Sequence, residues 1–272
     1  MKINRRTFIR SSFLGLTGVA LLDAFVFERF FVEVNEFDLS THLPPADRIK
    51  AIQISDLHLK SLQGYHRNLC KKITNLNPDI LFFTGDAIDD NQSLDAFNLF
   101  LQLLPPSIPK VAILGNWEYW GKVDIVRLHA IYESHNGTLL VNEHKLYAIK
   151  NRTIAISGTD DFVGGNANIE LTIPKPITCD YHVVLNHCPQ YSEVIPFRIN
   201  KDIPINLILS GHTHGGQIKL LSFIPFMPPG SGKYVSGWYK DQHKKLYVSK
   251  GIGTSILPIR FGARAEISVF NF

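Results

Sequence analysis

Cysteine is scarce: the 272-residue chain holds three, Cys70, Cys179 and Cys188, at spacings that match no thiolate metal site. An odd number cannot all pair internally, so a disulfide-built fold is excluded; Cys179 with Cys188 stays open as a pair, and Cys188 reads as a packed thiol. No stripe of Lys and Arg interleaved with aromatics stands out, and the formal net charge is only +4. That removes the case for a nucleic-acid partner, while anionic lipid surfaces and phosphorylated molecules remain compatible. Internal repeats and long low-complexity linkers are also missing. Gly230-Ser231-Gly232-Lys233 is followed by Tyr234 where a P-loop needs Ser or Thr, so it reads as a mobile loop near a site.

What is present is one arrangement used five times: a short apolar run that ends at a residue able to bind a cation. Lys50 to Ser55 runs into Asp56 and His58, Ile80 to Thr84 into Gly85-Asp86, and Val111 to Leu114 into Gly115-Asn116. His182 to Asn186 runs into His187, and Ile205 to Ser210 into Gly211-His212-Thr213-His214. Such runs, bounded by Gly, Asp and Asn, predict strands buried on both faces, and open sheets place ligand sites beyond the carboxyl ends of their strands. Carboxylate, imidazole and amide donors without thiolate suit a borderline divalent ion such as Mn, Fe or Zn. Each residue has a local alternative: Asp56 or Asp86 as a helix cap, Asn116 in a tight turn, the histidines hydrogen-bonded in loops. One ordered pattern across five strand ends argues against five separate accidents.

The blocks Asp56/His58, Gly85-Asp86, Gly115-Asn116-Trp117-Glu118, His187 and Gly211-His212-Thr213-His214 resemble, in order, those of the calcineurin-like metallophosphoesterases. The resemblance spans roughly residues 48 to 272, and the stretches after His214 look like the bacterial membrane-associated branch. It implies an α/β fold of two mixed β-sheets packed as a sandwich flanked by helices. It also implies two divalent metal ions, one held by Asp56, His58 and His214, the other by Asn116, His187 and His212, with Asp86 bridging. Asp86, Asn116 and His212 would carry catalysis, with a metal-bridging water as nucleophile in phosphodiester or pyrophosphate hydrolysis. One block departs from the family: Trp117 stands where a histidine is usual, and an indole cannot carry a proton at neutral pH. The leaving group then departs unprotonated, another residue supplies the proton, or the protein binds without turnover. His66 and His129 are conceivable substitutes, although both read as surface histidines.

Asn4-Arg5-Arg6-Thr7-Phe8-Ile9-Arg10 before an apolar stretch matches a twin-arginine export signal. The stretch, Phe13 to Phe27, falls short of the roughly 20 residues that span a bilayer, Asp23 interrupts it, and no Ala-x-Ala site follows. Residues 1–40 are accordingly expected as a signal or membrane anchor with linker, and 41–272 as the catalytic domain of a monomer placed in the envelope outside the cytoplasm. Helices are expected around Leu69, Ile73 and Leu76, from a Ser93 cap to Leu104, and from Val123 to Ser134. After residue 145 the pattern turns to strands, Lys145 to Ile149 paired with Thr153 to Ser157, then Lys245 to Ser249 and Ala265 to Phe270. The segment Leu220 to Pro229 is unusually apolar for a loop and reads either as core packing or as a lip for an acyl chain or bilayer. A lipid-linked phosphorylated substrate is the expected partner; a non-catalytic metal-binding envelope protein and a nuclease or cyclic-nucleotide phosphodiesterase are the alternatives.

Overall fold

In the computed structural model, which describes residues 4–40, 42–175, 177–200, 203–242 and 244–272, twelve strands form two six-stranded mixed sheets. They are β1 (Glu33–Asp38), β2 (Lys50–Ile54), β3 (Ile80–Thr84), β4 (Lys110–Ile113), β5 (Gly137–Leu140), β6 (Glu143–Ile149), β7 (Arg152–Gly158), β8 (Tyr181–Leu185), β9 (Leu207–Ser210), β10 (Gly237–Lys240), β11 (Lys245–Val248) and β12 (Glu266–Asn271). The first sheet runs β1-β12-β2-β3-β4-β5 and the second β10-β11-β9-β8-β7-β6. β2, β3, β4 and β5 are mutually parallel in the first sheet, as are β7, β8, β9 and β11 in the second.

Period-two side-chain alternation explains how the apolar runs bury both faces. Ala51, Ile80, Phe82, Val111 and Ile113 of the first sheet pack against Ile154, Ile156, Val183, Leu185, Leu207 and Leu209 of the second. Their neighbours Ile52, Ile54, Leu81, Phe83 and Ala112 turn outward onto the helices Gly64–Asn75, Leu94–Gln102 and Ile125–Ser134. On the far side, Val184, Ile208, Leu246 and Val248 meet Tyr191 and Ile195. The fold is therefore the helix-flanked double sheet expected from the runs.

Three local readings change. The cap expected at Ser93 falls three residues earlier, because Asp90 accepts from the Ser93 amide at 3.0 Å and a short 3-10 turn precedes the helix. β1 lies inside the segment set aside as anchor and linker: its polar Glu33, Asn35, Glu36 and Asp38 hide it from hydrophobic periodicity, yet it pairs in parallel with β12 along its whole length. The apolar amino-terminal stretch is longer than Phe13 to Phe27. Helix Arg5–Leu22 continues through a π-helical turn to Phe30, and the 23-residue window Phe8–Phe30 is apolar and long enough to cross a membrane. At roughly 1.5 Å per residue this is about 34 Å, against a hydrocarbon core of roughly 30 Å.

Buried His182 offers a test of pH-dependent stability. Its Nδ1 lies 3.1 Å from the Pro204 carbonyl and its Nε2 2.8 Å from Ser157 Oγ, and burial pushes its pKa down to about 4. The unfolded chain takes up this proton near 6.5 while the folded chain stays neutral, so its contribution to stability is full above 6.5 and lost as pH falls toward 4. Acidification over that window is expected to cost wild type up to about 3 kcal/mol more than His182→Gln, read by denaturant unfolding at each pH.

Candidate metal centre

The carboxyl ends of five parallel strands meet at one edge of the sandwich and bring all seven candidate ligands together. Asp56 and His58 follow β2, Asp86 follows β3, Asn116 follows β4, His187 follows β8, and His212 and His214 follow β9. Five of the seven, Asp56, His58, Asp86, His212 and His214, have φ between 46° and 74°. Left-handed backbone at a residue with a side chain costs about 1–2 kcal/mol each, and its concentration here points to a functional constraint on the turns. Close approach sets the glycines: a Cβ at Gly115 would overlap the Asp86 carboxyl, and one at Gly211 would overlap Ser55 and Asp56.

Two groups of donors result, Asp56, His58 and His214 in one, Asp86, His187 and His212 in the other, with each group's ligand atoms within 4.8 Å of one another. Asp86 faces both, its Oδ2 lying 3.2 Å from His187 Nε2 and 3.8 Å from His58 Nε2. Asn116 Oδ1 completes the second group at 2.8 Å from His212 Nδ1 and 3.2 Å from His187 Nε2.

The partners of the opposite ring nitrogens decide which atoms face inward. His187 Nδ1 sits 2.7 Å from the Thr84 carbonyl and His212 Nε2 2.7 Å from the Pro229 carbonyl. A carbonyl only accepts, so both nitrogens donate, which leaves lone pairs on His187 Nε2 and His212 Nδ1, 3.3 Å apart. His58 Nδ1 is likewise taken by Asp89 Oδ1 at 2.5 Å, turning Nε2 toward the centre. With His187 neutral, as a metal ligand must be, two imidazole lone pairs, an amide oxygen and a carboxylate oxygen converge in one buried space. Acceptors in that arrangement repel unless a cation lies between them, so the residues fit a divalent ion of the borderline class.

Without a cation, the carboxylates draw a proton onto His187 where a metal ion would otherwise sit. Burial opposes a charged His187, but Asp86 by charge and hydrogen bond, then Asp56, hold its pKa well above the ordinary value. Burial also works against ionised Asp86, yet His187 and then His58 keep its carboxyl well below the usual range. Asp56 is pushed up by burial, and His214 down by burial, then by His58 and Arg260.

Several supporting residues carried no role in the sequence reading. Glu118 is buried and accepts the backbone amides of Gly115 at 2.9 Å, Asp86 at 3.1 Å, Ala87 at 2.6 Å and Ile88 at 3.3 Å, so it shapes the turn that aims Asp86. Burial, then the Asp86 charge, pushes its pKa up to about 7, opposed by the Gly115 and Ile88 amides. Two sequence signals pointed to it without giving it a role: its place at the end of the Gly115-Asn116-Trp117-Glu118 block, and capping-box spacing three residues after Gly115. Asp89 and the fully buried Arg260, whose Nη2 is 3.3 Å from His214 Nδ1, had no such signal.

A cavity of about 500 Å³ opens onto Asp86, Asn116, His212 and His214, with walls that include Trp117, Trp120, Phe226, Ile256 and Leu257. Trp117 packs edge-on to His58 and to Trp120, both at 5.7 Å between centroids. Among the described residues, no ionisable side chain lines this cavity apart from candidate ligands. The proposed substitutes for the missing acid do not reach it: His129 pairs with Glu133 on its own helix, and His66 is buried rather than superficial. The apolar segment forms a lip and not core packing, because Leu221 is 88% exposed and Phe226 64% exposed, beside Ile256 at 77%. The loop at Gly230 is fastened, with its carbonyl accepting from the Gln190 amide and Ser231 buried. All three cysteines are free; Cys188 Sγ donates to Asp161 at 3.1 Å and binds no candidate metal group.

Over 99% of this chain and 98% of its counterpart, the sequence is 31% identical to the metallophosphoesterase YkuE of Bacillus subtilis. It is 30% identical to the phosphodiesterase YaeI of Escherichia coli, over 71% of this chain and 70% of that one. A transmembrane protein with a metallophosphoesterase domain from Danio rerio is 26% identical over 81% of this chain, which spans 52% of that protein. Residues 49–216, which include every candidate ligand, match the calcineurin-like phosphoesterase family, and the chain is a member of that family of metallophosphoesterases.

Proposed function

We propose that this protein hydrolyses phosphodiester or pyrophosphate bonds in a lipid-linked envelope substrate, using two divalent ions from the set Mn, Fe and Zn. The single observation that carries the reading is the convergence of carboxylate, amide and imidazole ligand atoms at the floor of an apolar cavity. Asp56, His58 and His214 would hold one ion and Asn116, His187 and His212 the other, with Asp86 Oδ2 facing both. When bound, such a pair polarises the phosphoryl oxygens and activates water for in-line attack. The chain's own residues do the rest. Thr84, Pro229 and Asp89 lock the imidazoles in their ligating orientation. Trp117 and Trp120 line the cavity with apolar surface, and the lip around Phe226 and Ile256 offers more of it to an acyl chain. With no acid in the cavity wall, a weakly basic leaving group such as a phosphate is favoured over an alkoxide, which supports the anhydride or activated diester.

The helix Phe8–Phe30 supports membrane attachment, and Arg5-Arg6 ahead of it supports export by the twin-arginine route. The test uses the full chain in detergent with manganese, assayed on a diacyl pyrophosphate, a soluble chromogenic diester and a phosphomonoester. The lipid anhydride is expected to lead and the monoester to trail. Phe226→Ser with Ile256→Ser should lower kcat/KM roughly thirtyfold on the lipid alone, the loss expected for about 2 kcal/mol of apolar burial. Binding of two metals with no turnover of any ester or anhydride would establish the non-catalytic alternative instead.

A further inference from the structure

A second cleft, of about 330 Å³, adjoins the metal centre and differs from the first in chemistry. The two meet at Ser255 and Ile256, which line both; His58 lines the second, whereas His212 and His214 line the first. The second cleft carries Arg29, Lys60, Gln63, Tyr65 and His66, and no Asp or Glu lines it among the described residues. Its charge is therefore positive. The nearest counter-charge is Asp89, 3.6 Å from Lys60 Nζ, and that carboxylate is shared with His58. Arg29 rests on the Phe30 ring at 4.8 Å and has no carboxylate within ion-pair distance among the described residues.

Arg29 is held in place by the domain it serves. The neighbouring Glu28 carboxylate accepts the Gly262 and Ala263 amides, each at 2.8 Å, while Arg260 N–H donates to the Ala24 carbonyl at 3.0 Å. Phe30 packs on Tyr65 with 5.0 Å between centroids. His66 lies deep in the cleft wall, 3% exposed. The Gln63 amide donates to His66 Nδ1 at 3.0 Å, and burial pushes the ring's pKa down to about 4, so the neutral ring carries its proton on Nε2. That buried N–H has no acceptor. The ring is closed in by Tyr65 and Phe100 and takes no direct part in the cleft's charge.

We infer that this cleft is a subsite for a second phosphate on the polar side of the substrate, recognised by Arg29 and Lys60 while the scissile phosphate lies at the metal centre. The inference rests on the hydrolase reading for its substrate but not for its binding. It makes the foot of the apolar helix part of the substrate site: the same element that carries the apolar window also delivers Arg29.

The test compares two soluble diesters with the full chain in detergent: the 4-nitrophenyl ester of glycerol phosphate, with and without a distal phosphate on the glycerol. Wild type is expected to favour the bisphosphate about tenfold in kcat/KM, the preference lying in KM, since charge-assisted hydrogen bonds are individually worth a factor of several. In Arg29→Gln with Lys60→Gln that ratio should fall to near one, and Arg29→Lys should restore part of it. A wild type without the preference, or a double variant that keeps it, would overturn the subsite. Calorimetric titration of glycerol 1,3-bisphosphate against glycerol 1-phosphate decides the matter even for a protein that turns nothing over. Tighter binding of the bisphosphate, lost in the double variant, sustains the subsite while the hydrolase reading fails; equal binding of the two removes it.

Discussion

Asp86→Ala is expected to reduce bound metal from two ions to at most one and to lower hydrolysis by about 10³-fold or more, because the transition-state charge loses the paired cations. The reason is positional: Asp86 Oδ2 is the one carboxylate oxygen near imidazoles of both groups, His187 at 3.2 Å and His58 at 3.8 Å. Asp86→Asn separates charge from shape. Its amide oxygen can still accept the Trp117 N–H that now reaches Asp86 Oδ1 at 2.9 Å, so the turn survives while the charge between the two groups is gone. Elemental analysis of the purified variants, with melting temperature measured in the presence and absence of manganese, separates loss of ligation from loss of fold. Wild type should melt higher with metal by mass action, and both variants should lose most of that shift. Two ions retained in Asp86→Ala, with activity near wild type, would show that Asp86 does not bridge.

Glu118→Ala is expected to destabilise the fold by about 4 kcal/mol, lowering the melting temperature by about 10 °C. Four backbone amides, of Gly115, Asp86, Ala87 and Ile88, converge on this one carboxylate at a position only 1% exposed. Alanine leaves them without an acceptor where water has little access, and each unmet donor costs about 1–3 kcal/mol before relaxation. The turn then loses its hold on Asp86, whose φ of 53° is not a conformation it would choose unaided. Metal affinity should fall by roughly 10–100-fold, the usual consequence of removing a residue that orients a ligand. Glu118→Gln, which keeps one acceptor oxygen, should lie between. Thermal unfolding and metal titration of both variants check the pair of effects; an alanine variant as stable as wild type would mean that water replaces the carboxylate.

The contrast between Asp86 and Glu118 marks the boundary of what was legible beforehand. Asp86 was readable because it stands directly after an apolar run, and the strand, its end and the following residue are contiguous in the chain. The same holds for Asp56, Asn116, His187, His212 and His214. Glu118 lies one helical turn beyond a strand end, and three of the four amides it holds, those of Asp86, Ala87 and Ile88, lie about thirty residues away. Asp89 reaches His58 across a similar gap, and Arg260 reaches His214 across 46 residues. The polar β1 escaped for a different reason: its two apolar residues, Val34 and Phe37, stand on opposite faces and pack against different cores, so no period-two apolar pattern shows.

Local chemistry therefore dictated the double-sheet class, the strand ends and the donor types, since apolar period, turn residues and side-chain identity are all properties of short contiguous segments. Folding settled how those donors are presented. His212 offers Nδ1 and His187 offers Nε2, a difference that depends on the carbonyls of Pro229 and Thr84 and on nothing in the two histidines' own neighbourhoods. The division of the site into an apolar cavity and a cationic cleft was likewise out of reach of the sequence. It requires Arg29 from the amino-terminal helix, Lys60 from the turn after β2 and Ile256 from near the carboxyl end to share one space. Such contacts are set by the packing of whole elements, and no short-range pattern encodes them.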